Sequence, residues 1–179
     1  KIIAGKKLII WDLDGVIAKL NIDWPSCRAE TRKYLEAKYG LVFSESERVD
    51  KMEETVLQRF GEYELRQLIP IRRKYEQSGI ENSILNRKLI DLIKKWHDQG
   101  KILTICSNNL KATVKAFLDF FNLQEPFSFS VGMDDTYRPK PCIDGCQIIL
   151  NRFKEINKKD ILFVGDTYES DGKTAEKLG

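Results

Sequence analysis

Short apolar runs that end in polar clusters set the pattern along this chain. Leu8-Ile9-Ile10-Trp11 leads into Asp12-Leu13-Asp14-Gly15, Ile102-Leu103-Thr104-Ile105-Cys106 into Ser107-Asn108-Asn109, and Ile161-Leu162-Phe163-Val164 into Gly165-Asp166. Short apolar runs with little polar alternation read as strands buried on both faces, as in a parallel sheet. Phe127–Val131 is a fourth candidate. Between these runs, apolar residues recur at helical spacing. Leu85, Leu89, Ile93 and Trp96 form one stripe, stopped by Gly100. Leu110, Val114, Phe117, Leu118 and Phe121 form a second; Cys146, Ile149, Leu150 and Phe153 form a third. Strands alternating with helices of this length predict βαβ units and an α/β fold.

Residues 20–84 break that rhythm and contain no convincing strand. Asp23 is placed to cap a helix with Pro25 in its first turn, in which Trp24, Cys27, Thr31, Tyr34, Leu35 and Lys38 share a face and which Gly40 ends. Ser44 and Glu47 fit a capping box for the next helix, whose stripe is Met52, Val56, Leu57 and Phe60. Leu65, Leu68, Ile69 and Tyr75 suggest further helix. The expected organisation is an α/β core from residues 1–19 and 85–179, with a helical insertion over 20–84. Its hinges fall near Ala18–Asn21 and Gly79–Asn86.

Composition narrows the class. With 179 residues, the chain suits one domain or a core with a small insertion. Apolar content of 42% with 32% charged residues excludes general disorder. A net charge of +3, from 30 Lys+Arg against 27 Asp+Glu, argues against a dedicated nucleic-acid binder. No apolar run approaches the length of a membrane span, Lys1–Lys7 has no signal-peptide character, and four cysteines make no disulfide scaffold. Together these point to a cytoplasmic address. The start at Lys1 rather than Met, and the stop at Gly179 inside a pattern, suggest trimming or disorder at both ends.

Four clusters carry chemistry, three of them just after predicted strands, where ligands bind in open α/β sheets. Asp12 and Asp14, spaced i, i+2, can face one cavity; like charges that close call for a cation or a shared proton. A turn or helix cap is the plainer use of such a motif. Ser107-Asn108-Asn109 offers a hydroxyl and backbone N–H groups at a helix start, which suits an anion, although taken alone plain N-capping is the favoured explanation. In Arg138-Pro139-Lys140-Pro141, flanking prolines stiffen the backbone around Lys140, making it a fixed point charge for a phosphoryl group or simply an exposed basic loop. Asp166 and Asp171 add carboxylates that complete an oxygen-ligand set suited to Mg²⁺, and Glu169 between them reads as solvated.

Taken in order, these clusters resemble the motifs of the haloacid dehalogenase-like hydrolase superfamily. The resemblance covers the whole chain and points to the branch with a helical cap between the first and second motifs, which includes phosphoglycolate phosphatase-like enzymes. It implies a Rossmann-like parallel sheet core and a Mg²⁺-dependent phosphatase acting on a small phosphorylated metabolite. By similarity, Asp12 is the nucleophile that forms an aspartyl-phosphate. Asp14 is the general acid and then base, its backbone carbonyl a metal ligand. Ser107 and the N–H of Asn108 hold the phosphoryl oxygens, and Lys140 balances charge. Asp12, Asp14, Asp166 and Asp171 form the metal site. Dehalogenase members lack the second aspartate of the first motif, so Asp14 argues for phosphoryl transfer. A sugar-phosphate mutase and a catalytically silent binding module are the alternatives. No cap lysine stands out as a phosphonatase Schiff base.

Departures from the family pattern are Cys142-Ile143-Asp144 after Pro141, where relatives often read Asp-Pro, and no further strand after the helix that follows Asp171. Arg28, Arg32 and Lys33 are cationic candidates for a second anionic group of the substrate, with a solvated helix face as the plainer alternative. His97 reads as non-functional, Cys142 and Cys146 lack the partners a zinc site needs, and Cys106 reads as packing. Asp134 and Asp135 either face the site or form a turn. The expected partner is a small phosphate ester, with neither nucleic acid nor membrane; the oligomeric state and the substrate are open.

Overall fold

The computed structural model describes residues 5–179; the expectations about the first four residues lie outside it. Four parallel strands form the main sheet: β1 (Leu8–Trp11), β4 (Ile102–Cys106), β5 (Phe127–Val131) and β6 (Ile161–Val164), in the order β5-β4-β1-β6. The α/β class read from the apolar runs is the observed one, and all four expected strands form.

Strand β1 shows why its run lacks polar alternation. Successive side chains point to opposite faces, and both faces are covered. Ile9 and Trp11 pack with Ile93, Trp96, Val114 and Phe117, from α5 (Arg87–Asp98) and α6 (Lys111–Phe120). Leu8 and Ile10 pack with Cys146 and Ile149 of α7 (Asp144–Arg152), and Leu178 of α8 (Lys173–Leu178) joins that cluster. Each of the four β1 residues is at most 1% exposed.

Between β2 (Ala18–Lys19) and β3 (Ile84–Leu85) lie four helices: α1 (Trp24–Tyr39), α2 (Val49–Phe60), α3 (Glu62–Arg66) and α4 (Ile69–Ser78). They share a core of Cys27, Leu35, Val49, Met52, Val56, Leu65 and Leu68. The Asp23 side chain caps α1 by accepting from Ser26 N–H, and Gly40 ends it in the left-handed conformation, as the sequence indicates.

Two local readings are corrected. The Ser44–Glu47 box caps nothing: α2 begins at Val49 after Arg48, whose guanidinium pairs with Asp50. Leu85 belongs to β3 rather than to the α5 stripe; Asn86 caps α5 by accepting from Leu89 N–H. Antiparallel pairing of β2 with β3 is also new. Two-residue strands leave no periodicity to read.

The two chain crossings that join the helical unit to the sheet touch each other. Asn21 N–H donates to the Gly79 carbonyl at 3.3 Å. A Cβ at Gly79 would stand 2.7 Å from the Asn21 oxygen and 2.9 Å from Ile22 N. Backbone cannot yield there as a flexible side chain would. Gly79→Ala is therefore expected to cost roughly 1–3 kcal/mol of stability, seen as a lower melting temperature, whereas Gly5→Ala, with open space around it, leaves melting unchanged.

Candidate functional site

The carboxyl ends of β1, β4 and β6 open into one cleft of about 1580 Å³, lined also by residues from α1, α2, α3 and α4. Strand β1 sits between β4 and β6, so its loop emerges where the sheet's connections diverge to either side, the usual position for a ligand in this architecture.

At its centre is a buried cation shared by two buried anions. Lys140 Nζ lies 2.5 Å from Asp171 Oδ1 and 3.0 Å from Asp12 Oδ1. All three residues are at least nine-tenths buried. Burial pushes the Asp12 carboxyl up to about 6, opposed chiefly by the charge of Lys140. Lys140 itself is held above the ordinary lysine range: burial works against its charge, but Asp12 and Asp171 more than offset it. Asp12 Oδ1 also accepts from Leu13 N–H at 2.8 Å, and Asp171 Oδ2 from Thr167 N–H at 3.2 Å, so both carboxylates are fixed in direction.

Asp166 is exposed, and a carboxylate oxygen of each of Asp12, Asp166 and Asp171 lies within 4.8 Å of the others. Gly15 permits this approach: its φ is +87°, and a Cβ there would overlap the Asp166 carboxylate. Asp14 turns its side chain elsewhere. Its Oδ1 accepts from Leu20 N–H at 2.9 Å, and burial raises its pKa, with Asp166 and Glu76 adding to the rise. The Asp14 carboxylate is thus outside the three-oxygen cluster.

Asp12, Asp166 and Asp171 gather three carboxylates around one ammonium. That surplus of negative charge, carried by hard oxygen donors without nitrogen or sulfur, fits a divalent cation of the Mg²⁺ type.

The second cluster is built around Asn108 and Asn109. Asn108 Oδ1 accepts from Lys140 N–H at 2.7 Å, and its Nδ2 donates to the Lys140 carbonyl at 3.2 Å. This side-chain amide therefore fixes the backbone of Lys140 and is committed. The N–H of Asn108 has no acceptor among the described residues and remains available to an anion. Ser107 Oγ donates to Asn109 Oδ1 and accepts from Asn109 N–H, both at 3.1 Å. Neither Ser107 nor either asparagine caps α6: Asp134 Oδ1 accepts from Lys111 N–H at 2.6 Å, and Asp135 accepts from Gly132 N–H. Asp134 and Asp135 therefore serve the turn.

Of the three cationic candidates on α1, Arg28 lines the cleft, with a buried Nε that has no partner. Arg32 does not; its Nη1 donates to the carbonyls of Ser44 and Glu45 at 3.3 and 2.7 Å. Lys33 is exposed and away from the lining residues. Cys106 and Cys146 are buried with sulfurs 3.3 Å apart, consistent with packing.

Sequence reasoning missed Arg72 and Glu76, and gave Asn109 no role of its own within the Ser107 cluster. Arg72 is buried between Glu53 and Glu76 and donates from Nη2 to the Asn108 carbonyl at 2.7 Å. The i, i+4 spacing of Arg72 and Glu76 was the available signal, but on a helix surface that pairing usually marks a solvated face.

A family profile described as haloacid dehalogenase-like hydrolase matches residues 9–179. Among solved structures, a haloacid dehalogenase-like hydrolase from Bacteroides fragilis superposes with a TM-score of 0.69 at 20% identity, covering 97% of this chain and 84% of that one. A predicted phosphoglycolate phosphatase from Haemophilus somnus gives 0.66 at 22% identity, with 97% and 82% coverage. YfnB of Bacillus subtilis, a hydrolase of the same superfamily solved with magnesium, gives 0.61 at 20% identity, with 97% and 84% coverage. No curated protein sequence matches. With the family profile spanning β1 to the final helix, the chain belongs to the haloacid dehalogenase-like hydrolases.

Proposed function

We propose that this hydrolase is a Mg²⁺-dependent phosphomonoesterase that cleaves a small soluble phosphate ester through an aspartyl-phosphate on Asp12. The observation that carries the reading is Lys140 buried between Asp12 and Asp171, with Asp166 beside them and the Ser107 loop in the same cleft. A phosphatase function also agrees with the phosphatase names among the similar structures.

In this reading Asp12 Oδ attacks phosphorus in line with the leaving oxygen, and the phosphorus–oxygen ester bond breaks. The Lys140 ammonium counters the negative charge of nucleophile and phosphoryl group. Asn108 N–H donates to a phosphoryl oxygen, and Ser107 Oγ–H does so on turning from Asn109 Oδ1. Asp14, its pKa raised by burial, protonates the departing alkoxide and then takes the proton from the water that hydrolyses the acyl phosphate. Asp12, Asp166, Asp171 and the Asp14 carbonyl would hold Mg²⁺, which supplies charge neutralisation and orientation of the phosphoryl group. Residues 20–84 act as a cap that excludes water from the cleft. A cytoplasmic location, with no nucleic-acid or membrane partner, belongs to the same reading; among the described residues no helix is long and apolar enough to cross a membrane.

Three outcomes are expected. Asp12→Asn, which keeps the side-chain shape, lowers turnover of an aryl phosphate by roughly three orders of magnitude or more with melting little changed; retained turnover removes the nucleophile assignment. Asp14→Asn lowers kcat by about 10²–10⁴ on an alkyl phosphate and far less on a nitrophenyl ester, whose leaving group needs no proton; equal losses on both refute the general-acid role. Chelator stops release of inorganic phosphate and added Mg²⁺ restores it; full activity in excess chelator excludes the metal. Measuring free phosphate rather than substrate loss separates hydrolysis from transfer to a second hydroxyl.

A further inference from the structure

We infer that Arg72, held between Glu53 and Glu76, is a positioning residue through which helix α4 fixes the phosphate-binding loop Ser107–Leu110. This rests on the phosphatase reading for its kinetic consequence, while the physical coupling stands on geometry alone.

Arg72 is 5% exposed, Glu53 3% and Glu76 0%. Its guanidinium spends Nε on Glu76 Oε1 at 2.7 Å, Nη1 on Glu53 Oε2, and Nη2 on the Asn108 carbonyl. The other Glu76 oxygen, Oε2, accepts from Leu110 N–H at 2.9 Å. The loop is thus gripped at two backbone atoms, one on each side of Asn109, by neighbours on a single helical face. Buried charged groups are costly unless fully partnered, so the cluster resists separation of α4 from the loop. Ile69 of α4, packed with Leu110 and Met133, seals the same junction.

The remaining anchors of this loop come from the sheet side. Ser107 N–H donates to the Val131 carbonyl, the Asn109 carbonyl accepts from Met133 N–H, and Asn108 pairs with the Lys140 backbone. Those bonds tie the loop to the sheet and to Lys140. The Arg72–Glu76 pair is what makes its geometry answer to the helical unit. Pinning the Asn108 carbonyl fixes the flanking peptides, hence the unpaired Asn108 N–H and the Ser107–Asn109 ring. Glu53 touches Arg72 but makes no bond to the loop. Lysine at position 72 keeps the charge but lacks the planar fork needed to reach two carboxylates and a carbonyl together.

The test uses the full chain with Arg72→Lys and Glu53→Gln. Amide hydrogen exchange is measured over residues 107–111, and kcat, KM and inhibition by inorganic phosphate are measured with an aryl phosphate. Arg72→Lys is expected to speed loop exchange and lower kcat by roughly tenfold or more, the scale of one lost charge-assisted bond. Phosphate inhibition weakens with it. Glu53→Gln keeps the loop contacts, so exchange, kcat and inhibition stay within about threefold of the parent. Unchanged loop exchange in folded Arg72→Lys, or an equal loss in Glu53→Gln, overturns the proposal. If Arg72→Lys fails to fold, Glu76→Gln, a weaker acceptor for Leu110 N–H, is read by the same criteria. A parent chain without turnover refutes the phosphatase reading, and exchange still decides the coupling.

Discussion

Everything at the cleft depends on how buried carboxylates are kept tolerable. Asp12 and Asp171 are withdrawn from water and would repel each other, yet a single ammonium is driven between them. Removing Lys140 would leave two uncompensated anions, a far larger cost than the net value of the pair. Burial raises the Asp12 pKa against the pull of Lys140, and Asp166 brings a third carboxylate to the same group. Loop geometry follows from that constraint. Gly15 must leave room for Asp166, and the Asn108 amide must hold the Lys140 backbone at a fixed height.

A second ionic cluster, distinct from the first, operates at the junction of helices and sheet. Around Arg72 the cation has two anions and one neutral carbonyl, and burial pushes the Glu53 carboxyl up to about 7. Three donors on one rigid plane can serve partners from α2, α4 and the loop after β4, which belong to different parts of the chain. The Asn21–Gly79 bond joins the two chain crossings to each other, while the Arg72 cluster joins the helical unit to the loop after β4.

The division between what could and could not be read from the sequence follows the range of the interactions. Strands β1, β4 and β6 were legible because both faces are covered, so each apolar run stands alone against polar neighbours. The aspartates were legible because strand ends deliver them in short, ordered motifs. The role of Asn109 beside Ser107 could not be told from a cap, and the true partner of the α6 start, Asp134, is remote in sequence. Arg72, Glu76 and Glu53 gave no signal of burial because only tertiary packing buries them. The Ser44–Glu47 pattern failed because α2 starts later, at Val49, and the Ser44 hydroxyl meets Ser46 instead of a helix N–H.

Strand order has a further implication for biosynthesis. Since β6 docks against β1 across most of the intervening sequence, Asp12 meets Asp171 only after that late strand has closed the sheet. A partly translated chain would hold Asp12 and Ser107 without the acidic partners that complete their environment. The buried ion group of Asp12, Lys140 and Asp171 is therefore complete only once that last strand has paired.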